Sequence, residues 1–470
     1  MKLRKSLAIL ASALMLTCVG CKKSETQKNN TDVTLDENDP YTSNLEINNY
    51  DGYNFRILIR PSQINDQYLE EGSGDPIEDA VYKRNLTVES MYNITISATP
   101  SSDSNYETDA LNAILAGDDA YDAIFPHSRA AFSYATQNAL LNINEIDSIH
   151  TENPWWSKDI VESANVNGNL YVLDGDISLA RYKYAMCLYF NKRIFDELGL
   201  DYPYQMVKDG AWTFDEFAKL VKSGAKDLNG DGVMDVENDQ YGFQTGEWLS
   251  PIAILYTGGQ RIYNKNDEGI PELTLNTSKT VDIFDKYFDL MDSAGNVIYA
   301  DNIITGPDMF REGRAMFGNN GLASAQGYRN MDDNFGILPY PKFTEDDEYA
   351  SIVNGSAHLL IIPLTVPDAH RTGNIIEALC AIGSRDVVPA FYEQSLKSKF
   401  SRDNESEEMI DIIKDSIIYD LGYVAGGTFD SIGRNLARSA THDFSSTYAS
   451  QEAVALVALK NFNKAYGGIE

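Results

Sequence analysis

Cysteine is scarce in this chain, at four residues in 470. So low a density excludes a disulfide-stapled scaffold. Basic residues are scarce as well, with 38 Lys and Arg against 70 Asp and Glu and a formal net charge of -32. A broad nucleic-acid footprint needs clustered Lys and Arg, so the composition argues against such a footprint and no nucleic-acid partner is expected. The five histidines, His127, His150, His358, His370 and His442, stand singly. No HExxH, G-x-S-x-G or Walker A pattern occurs. A triad assembled from distant positions stays open. No stretch has 18 consecutive apolar residues, so no segment reads as a membrane-spanning helix. What is present is 43% hydrophobic and 11% aromatic residues, enough for large cores and for two or three domains. A mostly disordered chain is excluded by that composition.

The first 20 residues read as an address. Lys2, Arg4 and Lys5 form a positive start, and Leu7 to Leu16 is an apolar stretch of secretory length. Gly20-Cys21 resembles the end of a bacterial lipobox, in which Cys21 is lipidated and becomes the mature N-terminus; the usual Leu three residues earlier is Cys18 here. Cleavage there removes three bases and no acid, which takes the formal charge from -32 to -35. Residues 21–48 are then a lipid-anchored flexible tether, polar and without apolar periodicity. Cys187 and Cys380 lie in apolar runs and are expected to be buried free thiols.

From about residue 53 strand and helix patterns alternate. Phe55 to Ile59, Asn93 to Ser97 and Asp122 to Phe125 read as strands, with helices over Asp79 to Met91 and Glu107 to Ala116 between them. That order predicts a mostly parallel sheet covered by helices. A second series begins with a strand at Met186 to Phe190 and a helix over Lys192 to Leu198 closed by Gly199. Thr213-Phe214-Asp215-Glu216 is a capping-box pattern opening a helix to about Ala225, and Trp212 before it reads as a hydrophobic staple. Further helices are predicted over Ser278 to Ser293 and over 371–383, 386–398, 405–419 and 448–466. The acidic pairs Asp118-Asp119, Asp332-Asp333 and Asp346-Asp347 read as solvated loop charge, since adjacent acids are expected by chance among 70.

The most specific local motif is Asp227-Leu228-Asn229-Gly230-Asp231-Gly232-Val233-Met234-Asp235, which matches D-x-N-x-D-G-x-x-D. Ca²⁺ takes about six to eight hard oxygen ligands. Side-chain oxygens of Asp227, Asn229, Asp231 and Asp235 would converge because Gly232 permits the sharp turn, and Val233 would add its carbonyl. An EF-hand loop ends on a bidentate Glu, but Asn238 holds that place, flanked by Glu237 and Asp239 as candidates for the last ligand. A structural Ca²⁺ is expected. The alternative is an acidic turn without metal.

Three segments in order resemble family-1 extracellular solute-binding proteins, the class that includes the maltose-binding protein. Leu188-Tyr189-Phe190-Asn191-Lys192 followed by Trp212-Thr213-Phe214-Asp215-Glu216-Phe217 resembles the family's YNK…WTWDE order. Phe310-Arg311-Glu312-Gly313-Arg314-Ala315-Met316-Phe317 resembles its F..GKAAM segment, and Gly336-Ile337-Leu338-Pro339-Tyr340-Pro341-Lys342 its G..P.P stretch. The resemblance covers about residues 50–470. It implies an α/β, two-lobed periplasmic-binding-protein-like clamshell. Each lobe is a mostly parallel sheet flanked by helices, and hinge strands join the two. Lobe one would be 49–174 with 354–404, and lobe two 177–353 with 405–470 and the calcium-type loop. Asn169 to Asp176 looks like the first hinge crossing.

Ligands of open α/β sheets bind beyond strand ends. Ser62 follows the first strand; His127, Ser128 and Arg129 follow Ile124-Phe125; Arg181 and Tyr184 follow the crossing; Glu247 and Trp248 follow Tyr241-Gly242-Phe243; Asn319 and Asn320 follow Met316-Phe317. Pro126 stands where the maltose-binding class has an aromatic. A sugar needs an aromatic face for its C–H surface and planar polar groups for its hydroxyls, which this set offers. Trp155-Trp156 could serve as a stacking platform or as a packing anchor. The resemblance implies a non-enzymatic substrate-binding lipoprotein of an ABC importer, monomeric and anchored on the outer face of the cell membrane. It would close on a sugar or oligosaccharide and deliver it to the permease. The competing reading is a surface carbohydrate-active hydrolase, which needs two carboxylates facing each other across the cleft.

Overall fold

The computed structural model describes residues 38–99, 104–293, 297–299, 308–393 and 404–467. The leader, Cys21, most of the tether and residues 394–398 of one predicted helix lie outside the described residues.

The first sheet is parallel. β1 (Tyr53–Ile59) lies between β2 (Ile94–Ala98) and β3 (Ala123–Phe125), with Tyr53 opposite Ile94 and Ile57 opposite Ala123. Parallel neighbours need crossovers, and helices Pro76–Tyr92 and Tyr106–Ala116 supply them. Asp75 caps the first by accepting from the N–H groups of Ile77 and Glu78, and Asn93 ends it in the left-handed region. Beyond β3 the sheet is continued from far along the chain. Ile361 bridges Ile124 in antiparallel sense, with both backbone hydrogen bonds made at 3.1 and 3.0 Å, and Leu360 bridges Leu173 on its other side. Helix Ala369–Ile382 packs on Pro76–Tyr92.

The second sheet contains β4 (Met186–Asn191), β5 (Tyr241–Thr245), β8 (Val297–Tyr299), β9 (Ala315–Gly321) and β10 (Phe335–Leu338), in the order β10-β4-β9-β5-β8. β4 runs against β9 and β10, while β5 runs parallel to β8 and β9. Four of the five strands therefore point the same way and β4 alone is reversed. β4 is buried at every position, as a central strand covered on both faces must be. Two small pairs complete the strands: β6 (Tyr263–Lys265) with β7 (Pro271–Leu273), and β11 (Ser351–Ile352) with β12 (Ile417–Ile418). β12 occupies the end of the helix expected over 405–419, which stops at Asp415. The two passages between the sheets run side by side, with Ala185 bridging Val353 and the Asn354 N–H donating to the Tyr184 carbonyl at 3.0 Å.

Trp212 is a staple: its ring meets Phe217 edge-on, and its Nε1 donates to the Pro339 carbonyl at 3.0 Å. The expected Thr213 cap does not form, because the hydroxyl makes no bond to the helix. That turn is tied instead to the neighbouring segment. Phe214 N–H donates to the Lys342 carbonyl, and Lys342 N–H donates to the Trp212 carbonyl. Trp155 and Trp156 are buried, and both indole N–H groups donate to the Glu377 carboxylate at 3.0 Å. They anchor residues 155–156 to helix Ala369–Ile382 and offer no stacking platform. Cys187 and Cys380 are buried free thiols, and burial pushes Cys187 up to about 12.

The final helix, Phe444–Ala465, touches both halves. Near its start Phe444 stacks on Phe284 and Tyr448 on Phe429. Near its end Phe462 meets Phe132 and Tyr466 meets Tyr171, residues that pack with the first sheet. Among the described residues no helix is long and apolar enough to cross a membrane.

Candidate binding cleft

A cavity of about 600 Å³ opens where loops from both sheets face each other. Glu107, His127, Arg129 and Ala130 come from the first sheet's side, and Trp248 and Leu249 follow β5. Asn354, Gly355 and Ser356 form the turn at the second passage, and Tyr423 closes one wall. This is the region beyond strand ends where α/β sheets bind ligands.

β3 ends at Phe125, and His127 starts helix Ser128–Thr136. The His127 N–H donates to Glu107 Oε1 at 2.6 Å, and its Nδ1 lies 2.7 Å from the same oxygen. Burial pushes the Glu107 carboxyl up, but the His127 contacts outweigh it and hold the group below its usual range. Arg129 pairs with Asp430 at 2.6 Å. Glu247 is buried and receives two arginines: Arg434 donates from Nε at 3.0 Å, and Arg438 donates to both of its oxygens. Trp248 is 38% exposed, and the Arg434 guanidinium lies 4.0 Å from its ring centre. The charges around the cavity are thus paired within its own walls.

Of the residues picked from the sequence, His127, Arg129 and Trp248 line this cavity. Glu247 adjoins it but is consumed by its arginines. Arg181 is buried elsewhere: its Nη2 donates to Asp176 and to the Tyr182 hydroxyl, and Asp174 lies 3.6 Å from Nη1. Burial opposes its charge, but Asp176, Tyr182 and Asp174 hold it well above its ordinary value. It lines a separate cavity with Ser157, Tyr182 and Lys414, and not the one beside Trp248. Asn319 is buried within β9, because a strand continues through the position read as a strand end, and Asn320 turns its side-chain oxygen onto the Gly321 N–H. Ser62 is exposed in the turn after β1. Ser128 is buried, its N–H donating to the Ala357 carbonyl at 3.3 Å. Tyr184 is half-buried and accepts from Gln63 Nε2 at 2.5 Å.

Sequence reasoning missed Glu107, Asn354, Ser356, Tyr423 and Arg434. The Asn354-Gly355-Ser356 run was a readable turn signal after an apolar run. Glu107 sits in the first turn of a helix and Arg434 on a separate helix, and neither carries a local signal.

The loop 227–239 is exposed from Leu228 to Val233, buries Asp239, and turns through Gly230 and Gly232, both at positive φ. Asp227 accepts from the Gly230 and Gly232 N–H groups at 2.6 and 2.8 Å, and Asp239 accepts from Leu228 and Asp235 at 2.9 and 2.8 Å. Asn229, Asp231 and Asp235 accept from Asp231, Val233 and Glu237 N–H groups. The donor set is all oxygen and matches Ca²⁺ chemistry. Among the described residues no three Asp, Glu, His or Cys groups are already gathered as a cage.

The fold is similar to that of a cyclic alpha-maltosyl-1,6-maltose binding protein from Arthrobacter globiformis, with a TM-score of 0.57, 13% identity and coverage of 88% of this chain and 98% of that chain. It is also similar to a sugar transporter protein from Rhizobium etli in an open conformation (TM-score 0.56, 12% identity, 89% and 100% covered). A third likeness is an ABC transporter solute-binding protein from Thermotoga lettingae bound with alpha-D-tagatose (TM-score 0.55, 16% identity, 88% and 100% covered). The fold is thus the two-lobed α/β clamshell of periplasmic-binding-protein type. A family model of the bacterial extracellular solute-binding protein matches residues 87–381, well over half of the chain, and the chain belongs to that family. No curated protein matches it.

Proposed function

We propose that this solute-binding protein captures a neutral sugar or oligosaccharide between its lobes and hands it to the permease of an ABC importer. The observation that carries the reading is Trp248: a half-exposed indole faces a cavity between the lobes whose charges are already paired. A sugar's C–H face matches such a ring, and its hydroxyls match Asn354, Ser356, His127 and the backbone of the turn. The sugars named for the similar structures support this choice of solute class. Closure of the lobes on the solute would present the closed form to the permease, without bond making or breaking. Among the described residues lining the cavity, Glu107 is the one carboxylate, and His127 holds it, so nothing favours the hydrolase reading.

The lobe division 49–174 with 354–404 and 177–353 with 405–470 remains part of this reading. It is supported by the 124–361 and 173–360 bridges on one side and by the packing of Asn404–Asp415 on β10 on the other. Lipidation at Cys21 would tether a monomer to the outer face of the cell membrane. Ca²⁺ would be held by Asp227, Asn229, Asp231, Asp235 and the Val233 carbonyl, with Glu237 or Asp239 as the last ligand.

The deciding experiment is a thermal-shift screen over neutral sugars, uronates, amino sugars and dipeptides. A neutral sugar is expected to raise the melting temperature, since it binds the native state. A shift given by dipeptides alone would overturn the sugar reading, and product formation from a bound glycan would overturn the binding-only reading.

A further inference from the structure

Glu247 and Trp248 are neighbours in sequence, and one arginine serves both. Arg434 donates from Nε to Glu247 Oε1 at 3.0 Å while its guanidinium lies 4.0 Å from the Trp248 ring centre. The Glu247 side chain is 2% exposed and also takes Arg438, which donates from Nε at 2.7 Å. A planar guanidinium is suited to this double duty, because its edge matches a carboxylate while its face stacks on an aromatic ring.

We propose that Glu247 and Arg434 are positioning residues for solute binding. Glu247 fixes the guanidinium, and the guanidinium covers one face of the Trp248 indole and presents the other face to the cavity. The proposal rests on this cavity being the solute site. A cation on the covered face draws π density away from the ring, so the open face disfavours a second cation and is left to apolar stacking with a neutral ring. A freely rotating indole would lose rotamer entropy each time a solute stacked on it; a clamped one has lost it beforehand.

The full chain reports on the clamp without any solute. Trp155, Trp156 and Trp212 are 3%, 3% and 0% exposed, so quenching of tryptophan fluorescence by acrylamide reads Trp248. Trp248→Phe should abolish the quenchable fraction. Arg434→Ala should raise the quenching constant about twofold, as one accessible ring face becomes two. Glu247→Gln should raise it in the same direction, and Arg434→Lys should restore it only in part, because an ammonium keeps the charge without the plane. Circular dichroism and the melting curve verify that each variant is folded. A quenching constant in Arg434→Ala equal to that of the wild type overturns the clamp.

The same variants are then titrated with maltotriose and with α-D-tagatose. Where either sugar shifts the wild-type melting temperature, Arg434→Ala should need about tenfold more of it for the same shift. Equal sensitivity overturns the positioning role even if the clamp exists. If dipeptides shift the wild type and no sugar does, the sugar reading fails by itself, and the quenching result still decides the clamp.

Discussion

His358 shows what burial does to a single group here. Its Nε2 lies 2.6 Å from Ser178 Oγ, and its Nδ1 lies 3.3 Å from Gln63 Oε1. Burial pulls the imidazole down to about 4, with Lys183, His127 and Arg60 acting in the same direction and Asp66 against it. An unfolded histidine takes its proton near 6.5. Between those values the unfolded chain binds the extra proton and the folded chain does not, so stability rises with pH across that window. The contribution is complete above the unfolded value and is lost as pH falls through about 4. Its full size is on the order of 3 kcal/mol. Urea midpoints should therefore drop between pH 6.5 and 4.5, and His358→Gln should flatten that slope. At the same scale, Trp248→Ala should weaken sugar binding by about tenfold or more in calorimetric titration, because a stacked ring is lost. Trp248 was legible in the sequence because an aromatic directly after a strand end has a place to go. The fate of Trp155 and Trp156 was not, because their partner Glu377 lies far along the chain. Arg181 misled for a different reason: Asp174, Asp176 and Tyr182 are its near neighbours in sequence, but only the folded chain shows that its guanidinium turns onto them.

Elements were legible where they carry their own signals. The helix ending at Tyr92 and the one closed by Gly199 have caps and periodicity, and both form. Two-residue strands such as β11 and β12 have no period to read, and the antiparallel segment around Leu360 and Ile361 is decided by its neighbours. Close packing between elements gives a sharp test at Gly383, where helix Ala369–Ile382 ends against the first passage between the sheets. A Cβ there would run into the Asp176 carbonyl, which is backbone and cannot swing aside. Gly383→Ala should cost about 2 kcal/mol or more in urea denaturation, by overpacking. A second test concerns the acidic loop. If Ca²⁺ binds at Asp227 to Asp235, EDTA should lower the melting temperature, and Asp231→Ala should remove that sensitivity. An unchanged melting temperature with chelator would count against the metal.

At the scale of the molecule, the final helix ties the two halves. Phe462 and Tyr466 hold its end on Phe132 and Tyr171, and Phe444 and Tyr448 hold its start on Phe284 and Phe429. Any hinge motion must carry these rings along or part them. Phe462→Ala combined with Tyr466→Ala should loosen the tie, and small-angle scattering of the solute-free protein should show a larger radius of gyration than the wild type. The antiparallel closure of the first sheet has a different consequence, one of timing. β1, β2 and β3 are made early, but the segment that covers the open side of β3 arrives only with Leu360 and Ile361. Until then the nascent sheet has an unpaired edge, and its long-range contacts cannot form. The first sheet can therefore be completed only after residues 360–361 have been synthesised. For a member of an extracellular family, a first sheet that only late residues complete would suit a chain exported before it folds.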